Sequence, residues 1–288
     1  GRAVGGGLEM TLRIGAFPAQ DRPMFQLLAR DTGFVHACGH RGHSIGAPEN
    51  TIAALDATAD QGGTSAEIDI RATADGEIIL LHDDFLDRTS DGAGLASNLS
   101  LADIRKLDAG SWFAPEFAGE GIPTLDEAAE CAAKRGIGLV VEIKEERRVD
   151  AFLDALVALI GSSDIADHAV FISFDHTVLK ALKARVPNVR TEGITHARHV
   201  DFVAVAKAAG LDSLSIERGM FRPEDGKALH DAGVAIRVHV ERPKVLARYK
   251  AVGEDIGATV SDWIEAGVLD SVSGDDVGFL VGLGAGRK

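Results

Sequence analysis

Residues 34–82 read FVHACGHRGHSIGAPENTIAALDATADQGGTSAEIDIRATADGEIILLH, and the order of patterns in this stretch decides the fold class. Phe34–Cys38 is a short apolar run that ends in Gly39-His40-Arg41-Gly42-His43. Asn50–Gln61 carries helical periodicity and stops at Gly62-Gly63. Ala66–Ala72 and Ile78–His82 read as strands on either side of an Asp75-Gly76 turn. A strand thus leads through a polar turn into a helix and back into a strand, as in a βαβ unit.

The alternation continues downstream. Helical segments at Leu125–Lys134, Val149–Ile160, Thr177–Ala184, Val200–Ala209, Pro223–Ala232 and Lys244–Val252 are interleaved with strand runs. The strand runs are Gly138–Ile143, Ala169–Phe174, Val189–Ile194, Ser213–Glu217, Ala235–Glu241 and a last short one at Ala258–Ser261. Eight or nine strands alternating with helices in 288 residues favour a closed (β/α)8 TIM barrel, a fold of about 250 residues. No G-x-G-x-x-G follows a strand, so an open dinucleotide-binding sheet lacks its fingerprint. Asp84–Thr124 breaks the alternation and reads as an insertion after the third strand, with a short helix near Leu101–Leu107. Its Trp112, Phe113 and Phe117 are expected to make a small local core. Gly1–Glu9 reads as a tag remnant before Met10, leaving 10–288 as one barrel domain.

Composition narrows the function classes. The net charge is −14, which on average repels nucleic acid and anionic lipid. No 18-residue apolar window exists, so stable membrane insertion is not expected. Two cysteines, Cys38 and Cys131, make no disulfide framework, and a reduced, cytoplasmic compartment is the simplest expectation.

In a barrel the C-terminal strand ends face the active site, so polar residues there carry information. Glu67 and Asp69 sit at i and i+2 on one strand face, and Glu142 closes the Gly138–Ile143 strand. Three converging carboxylates repel one another unless a hard divalent cation, Mg²⁺ or Ca²⁺, lies between them. Each could instead pair with a local Arg or Lys. His40 and His82 end two strands, and a pair of imidazoles across a cleft suits general acid–base work; either alone could equally be a satisfied core group. Arg41 offers a planar fork for phosphate oxygens, or a salt bridge to Glu49. Cation, Arg and two His together suit phosphoryl transfer.

The series Gly39-His40-Arg41-Gly42, Pro48-Glu49-Asn50-Thr51, Glu67-Ile68-Asp69, His82-Asp83, Leu86-Asp87-Arg88-Thr89, Ile122-Pro123-Thr124-Leu125 and Glu142-Ile143-Lys144 resembles the glycerophosphodiester phosphodiesterase family. The likeness runs from about Phe34 to Glu145; beyond it, Ser173-Phe174 and Val260-Ser261-Asp262 resemble later strand ends of the family. The resemblance implies a (β/α)8 barrel and a divalent metal on Glu67, Asp69 and Glu142. It also implies His40 and His82 as the acid/base pair, Arg41 on the phosphate, Lys144 near metal and phosphate, and Asn50 in the active site. Asn50 would equally serve as a helix N-cap. Asp83 is expected to support the loop after His82.

The late strands depart from the family pattern. A Trp-Thr-Val-Asn run is expected, but Ile236-Arg237-Val238-His239-Val240-Glu241 stands there. Arg237, His239 and Glu241 share one face, Arg190 and Glu192 alternate upstream, and Glu217-Arg218 closes another strand. These residues either line a polar substrate pocket or neutralise one another inside the barrel. The expected function is metal-dependent hydrolysis of a small-molecule glycerophosphodiester to a phosphomonoester and an alcohol. The alternatives are hydrolysis or synthesis of an opine-type sugar phosphodiester, a non-catalytic phosphodiester-binding barrel, and a sugar isomerase.

Overall fold

The computed structural model describes residues 25–287; the tag remnant expected over 1–9 lies outside them. Nine strands occur among the described residues. They are β1 (His36–Gly39), β2 (Ser65–Ala72), β3 (Ile78–Leu80), β4 (Gly138–Ile143), β5 (Ala169–Ser173), β6 (Arg190–Thr195), β7 (Ser213–Glu217), β8 (Ala235–His239) and β9 (Ser271–Gly274). Eight pair in parallel in the order β1-β9-β8-β7-β6-β5-β4-β2, and β1 pairs with β2 to close the barrel. The third strand in the chain is outside the ring: β3 runs antiparallel to β2, with Ile70 opposite Leu80, as an excursion from the barrel.

Side-chain parity divides each strand between two environments. Ile68, Ile70, Val141 and Ile143 pack outward in one large core with helix residues such as Leu55, Ala128 and Leu153. The intervening residues face the barrel interior, where Cys38, Val140, Val170 and Ile172 cluster with Phe25 and Leu27. Phe25 seals that end so closely that a Cβ on Gly138 would lie 2.3 Å from its ring. Helix ends follow their capping residues. Thr51 accepts from the Ala54 N–H at the start of the helix Ile52–Asp60. Thr124 and Glu127 form a reciprocal capping box on the helix Leu125–Arg135.

Two expectations need correction. Ala258–Ser261 is helical, inside Ile256–Glu265, and the last strand is Ser271–Gly274. The β-branched residues there mislead: Asp255 caps the segment, and Ile256, Val260, Trp263 and Ile264 recur at helical spacing against the core. Val260-Ser261-Asp262 is therefore not a strand end. The segment between β3 and β4 has a small core of its own, made by Ile79, Leu81, Leu86, Ala96, Ile104, Ala109 and Ile122, and contains the short helix Leu101–Ile104. Trp112, Phe113 and Phe117 stack edge to face beside it, with centroids 5.7 and 5.6 Å apart. Among the described residues no helix is long and apolar enough to cross a membrane.

Candidate active site

The turn after β1 is built by close packing. Gly42 adopts φ 81°, and a Cβ there would lie 2.5 Å from the Ala54 Cβ. With Gly42 tucked under the following helix, Arg41 is left in a left-handed conformation at φ 58°, unusual for a residue with a side chain. This strained turn places His40 and Arg41 at the barrel mouth.

The β2–β4 register sets Asp69 beside Glu142. One oxygen from each of Glu67, Asp69 and Glu142 lies within 4.8 Å of the others, and all three residues are buried. Burial, and then the charge of Asp69, push the Glu67 carboxyl up to about 7. Among the described residues, Glu67 Oε1 and Asp69 Oδ1 accept no hydrogen bond. Lys144 answers part of this charge, with Nζ 2.6 Å from Glu142 Oε1 and 3.3 Å from Asp69 Oδ1. Burial works against its ammonium, but Asp69 and Glu142 outweigh it and raise its pKa. Arg41 Nε lies 3.4 Å from Asp69 Oδ2, and its NH1 donates to Glu49 Oε1 at 2.7 Å. Pairing with local cations is thus realised in part. Two orphaned, buried oxygens in an all-oxygen donor set still fit a hard divalent cation, for which an unsatisfied carboxylate oxygen is the natural ligand. Asn50, also at φ 58°, gives Nδ2 to Asp69 Oδ2 at 2.8 Å and accepts the Asp69 N–H at 3.0 Å. The helix cap is Thr51, so Asn50 holds Asp69 rather than the helix.

Each histidine has its Nδ1 on an aspartate. His40 Nδ1 is 2.7 Å from Asp275 Oδ1, and Arg242 holds the other oxygen of Asp275. His82 Nδ1 is 2.6 Å from Asp83 Oδ1, and Arg88 Nε is 2.5 Å from Asp83 Oδ2. That arrangement selects the Nδ1–H tautomer and leaves each Nε2 without a hydrogen bond among the described residues, His40 Nε2 lying 4.0 Å from Glu67 Oε2. Burial disfavours the His40 imidazolium, but the Asp275 hydrogen bond and the Glu67 charge reverse the balance and raise its pKa. Asp275 is lowered to about 2, because its contacts with His40 and Arg242 overcome the cost of burial. The Asp83 carboxyl lies well below the usual range, held there by Arg88 and His82 against some burial.

Both histidines line one cavity of about 440 Å³ at the barrel mouth. Arg41, Glu67, Glu142 and Lys144 share its wall with Phe174, Ile194, His196, Ser215, Glu217, Arg237 and His239, among others. Phe174 is half exposed there, and its ring lies edge to face with His196, centroids 4.9 Å apart. His196 Nε2 is 3.5 Å from Glu217 Oε2.

The late-strand residues divide three ways. Glu217 and His239 reach the cavity. Arg237 touches its floor but is held by Glu192, with NH2 2.6 Å from Oε1, while Ser213 Oγ donates to the other Glu192 oxygen. Glu241 lies beyond the end of β8 and pairs with Arg218. Arg190 begins β6, at the opposite end of the barrel, and donates to the carbonyls of Ala166 and Asp167. Its placement there removes it from the cavity, and Glu192 is spent on an internal ion pair. Sequence reasoning missed Asp275, Arg242 and His196, and found Phe174 only as part of a strand-end likeness. The signal for Asp275 was its place after a strand that was assigned thirteen residues too early.

The chain is similar to several known proteins. A family model described as the glycerophosphoryl diester phosphodiesterase family matches residues 40–250. A glycerophosphodiester phosphodiesterase of Bacillus subtilis is 30% identical over 215 residues, covering 69% of this chain and 72% of that protein. One from Caldanaerobacter subterraneus is 35% identical over 152 residues, 52% of this chain and 63% of that protein. Across the first three curated relatives the match spans 66%, 63% and 43% of their length, under two thirds in each. Among solved structures, an Oleispira antarctica phosphodiesterase in complex with its product sn-glycerol-3-phosphate is similar at 28% identity and TM-score 0.73, over 88% of this chain and 98% of that one.

Proposed function

Because the chain belongs to the glycerophosphoryl diester phosphodiesterase family, we propose that it hydrolyses a small glycerophosphodiester to a phosphomonoester and an alcohol with a divalent cation bound. One observation carries this reading: three buried carboxylates, two of them with an orphaned oxygen, share a cavity with two histidines whose Nδ1 atoms are fixed by aspartates. The similarity to a phosphodiesterase solved with glycerol phosphate supports the substrate class. Residues 10–288 are read as the single domain that performs the reaction.

Glu67, Asp69 and Glu142 would hold Mg²⁺ or Ca²⁺. When bound, the ion supplies positive charge against the phosphate oxygens. Arg41 and Lys144 add cationic donors on the same side, and Asn50 keeps Asp69 in place. One imidazole Nε2 takes the proton of the attacking hydroxyl, from water or from a neighbouring substrate hydroxyl. The other gives a proton to the leaving oxygen. His40 and His82 are both placed for either role.

A larger, hydroxyl-rich alcohol loses support. Arg237 with Glu192, and Arg218 with Glu241, neutralise each other rather than face a ligand. A phosphorus NMR assay on glycerophosphodiesters and on sugar phosphodiesters, with and without EDTA, decides the matter. Phosphomonoester formed from glycerophosphodiesters and abolished by EDTA is the expected result. Turnover of sugar diesters alone would revive the sugar reading, and turnover of neither would favour a binding protein.

A further inference from the structure

Beside the carboxylate cluster, three neighbouring strand ends carry a donor set of different chemistry. Gly39 of β1 is level with Gly274 of β9, and Ser273 of β9 is level with His239 of β8. That register gathers His40, Asp275 and His239. His40 Nδ1 is 2.7 Å from Asp275 Oδ1, and the two imidazole rings meet edge to face at 4.9 Å. One donor atom from each of the three residues lies within 4.8 Å of the others. Among the described residues the only hydrogen bond of the His239 ring is a long one, Nδ1 to Ser273 Oγ at 3.3 Å.

We propose that His40, His239 and Asp275 bind a borderline transition-metal ion, Zn²⁺ above all, at a site separate from the oxygen-only cluster, and that its occupation halts phosphodiester cleavage. The two donor sets sort by softness. Three carboxylates suit Mg²⁺ or Ca²⁺. Two imidazoles with one carboxylate, open to a cavity on the fourth side, suit zinc. Zinc takes nitrogen and oxygen ligands at about 2.0–2.2 Å, so the His40–Asp275 hydrogen bond must open around the ion while His239 moves in. The ion takes the place of the proton between His40 Nδ1 and Asp275; a neutral His40 carries its one proton on Nε2 instead, and an imidazolium releases its second proton to the buffer. Arg242 remains on the second oxygen of Asp275 as an outer partner. With Nδ1 on the metal, His40 Nε2 holds the ring's remaining proton and no longer accepts one from the attacking hydroxyl. His239 belongs to this chain's own late strand, in the segment where the family resemblance leads one to expect a Trp-containing run.

The binding half of the proposal stands apart from the phosphodiesterase reading, and the inhibitory half rests on it. The experiment titrates Zn²⁺ into the full chain held in saturating Mg²⁺, reading free zinc with a chromophoric chelator and proton release in weak buffer, without substrate. One further equivalent of bound Zn²⁺ is expected, with proton release where His40 starts as imidazolium. His239→Gln should weaken that binding by about tenfold or more, since even outer partners of a metal ligand are worth about 10–100-fold in affinity. Inhibition of turnover should follow the same occupancy and resist added Mg²⁺. Zinc binding unchanged in His239→Gln, or zinc displaced in step with added Mg²⁺, would overturn the site. Should His239→Gln fail to fold, Co²⁺ in the Mg²⁺-saturated wild type answers instead. Intense four-coordinate visible bands support the site, and a weak six-coordinate spectrum overturns it.

Discussion

The two histidine arms are built alike and anchored differently. Each runs from an imidazole Nδ1 to an aspartate to an arginine, His40–Asp275–Arg242 on one side and His82–Asp83–Arg88 on the other. The His40 arm belongs to the barrel frame: Asp275 follows β9, and its side chain is 3% exposed. The His82 arm belongs to the excursion: Asp83 is 30% exposed, and Arg88 comes from the segment after β3. Arg88 also binds both Glu49 oxygens, at 2.8 and 2.9 Å, and Glu49 in turn holds Arg41. One arm is thus fixed by burial. The other is fixed by a network of charged hydrogen bonds that ties His82 and Arg41 to one guanidinium. The first should govern stability as well as rate, and the second rate alone.

Removing either imidazole gives the largest effect. His40→Ala and His82→Ala should each cut kcat/KM by about 10²–10⁴, the range for general acid–base catalysis, as measured by product formation. Next comes Asp275. Its folded pKa of about 2 lies below its ordinary 3.8, so the stabilisation is complete above about pH 4 and lost as pH falls through about 2, roughly 2 kcal/mol in all. Urea unfolding between pH 5 and 2 should show that acid loss in the wild type and not in Asp275→Asn. An identical slope in both would contradict the assignment. Arg88→Ala should lower kcat by about tenfold, the lower end of what supporting partners contribute, while the urea midpoint stays near that of the wild type. Arg88→Lys should restore only part of the rate, since a single ammonium cannot span Asp83 and both Glu49 oxygens. Arg242→Ala is the mildest, because that side chain is 66% exposed; exposed pairs are worth about 0–1 kcal/mol. A large loss there would erase the distinction between the arms.

Legibility in the sequence followed the same division. The barrel was visible in the alternation, because most strands are short and all but β2, which leads directly into β3, are followed by a helix. Glu67, Asp69, Glu142 and His40 were visible because strand-end position and parity suffice to aim them at one mouth, whereas His82 reaches that mouth from just after β3, an antiparallel strand outside the ring. Height along the barrel axis was harder: period-two spacing puts Arg190 on the inward face but does not say that it starts β6 at the far end. The Arg237–Glu192 pair spans 45 residues and two non-adjacent strands, β6 and β8, so no local pattern announces it. Asp275 was hidden because β9 is only Ser271-Val272-Ser273-Gly274, with one residue in the core, while Thr259-Val260 nearby looks more strand-like and is helical.

The account turns on the two arms serving one reaction at one phosphate. The most direct test is kcat/KM on a glycerophosphodiester for four proteins at saturating Mg²⁺: wild type, His40→Ala, His82→Ala and the double variant. Groups that act as a unit are strongly non-additive. The account therefore predicts that each single variant is severely impaired and that the double is scarcely slower than the worse single. A single variant that keeps near wild-type turnover, or a double variant whose loss is the full product of the two, would contradict it.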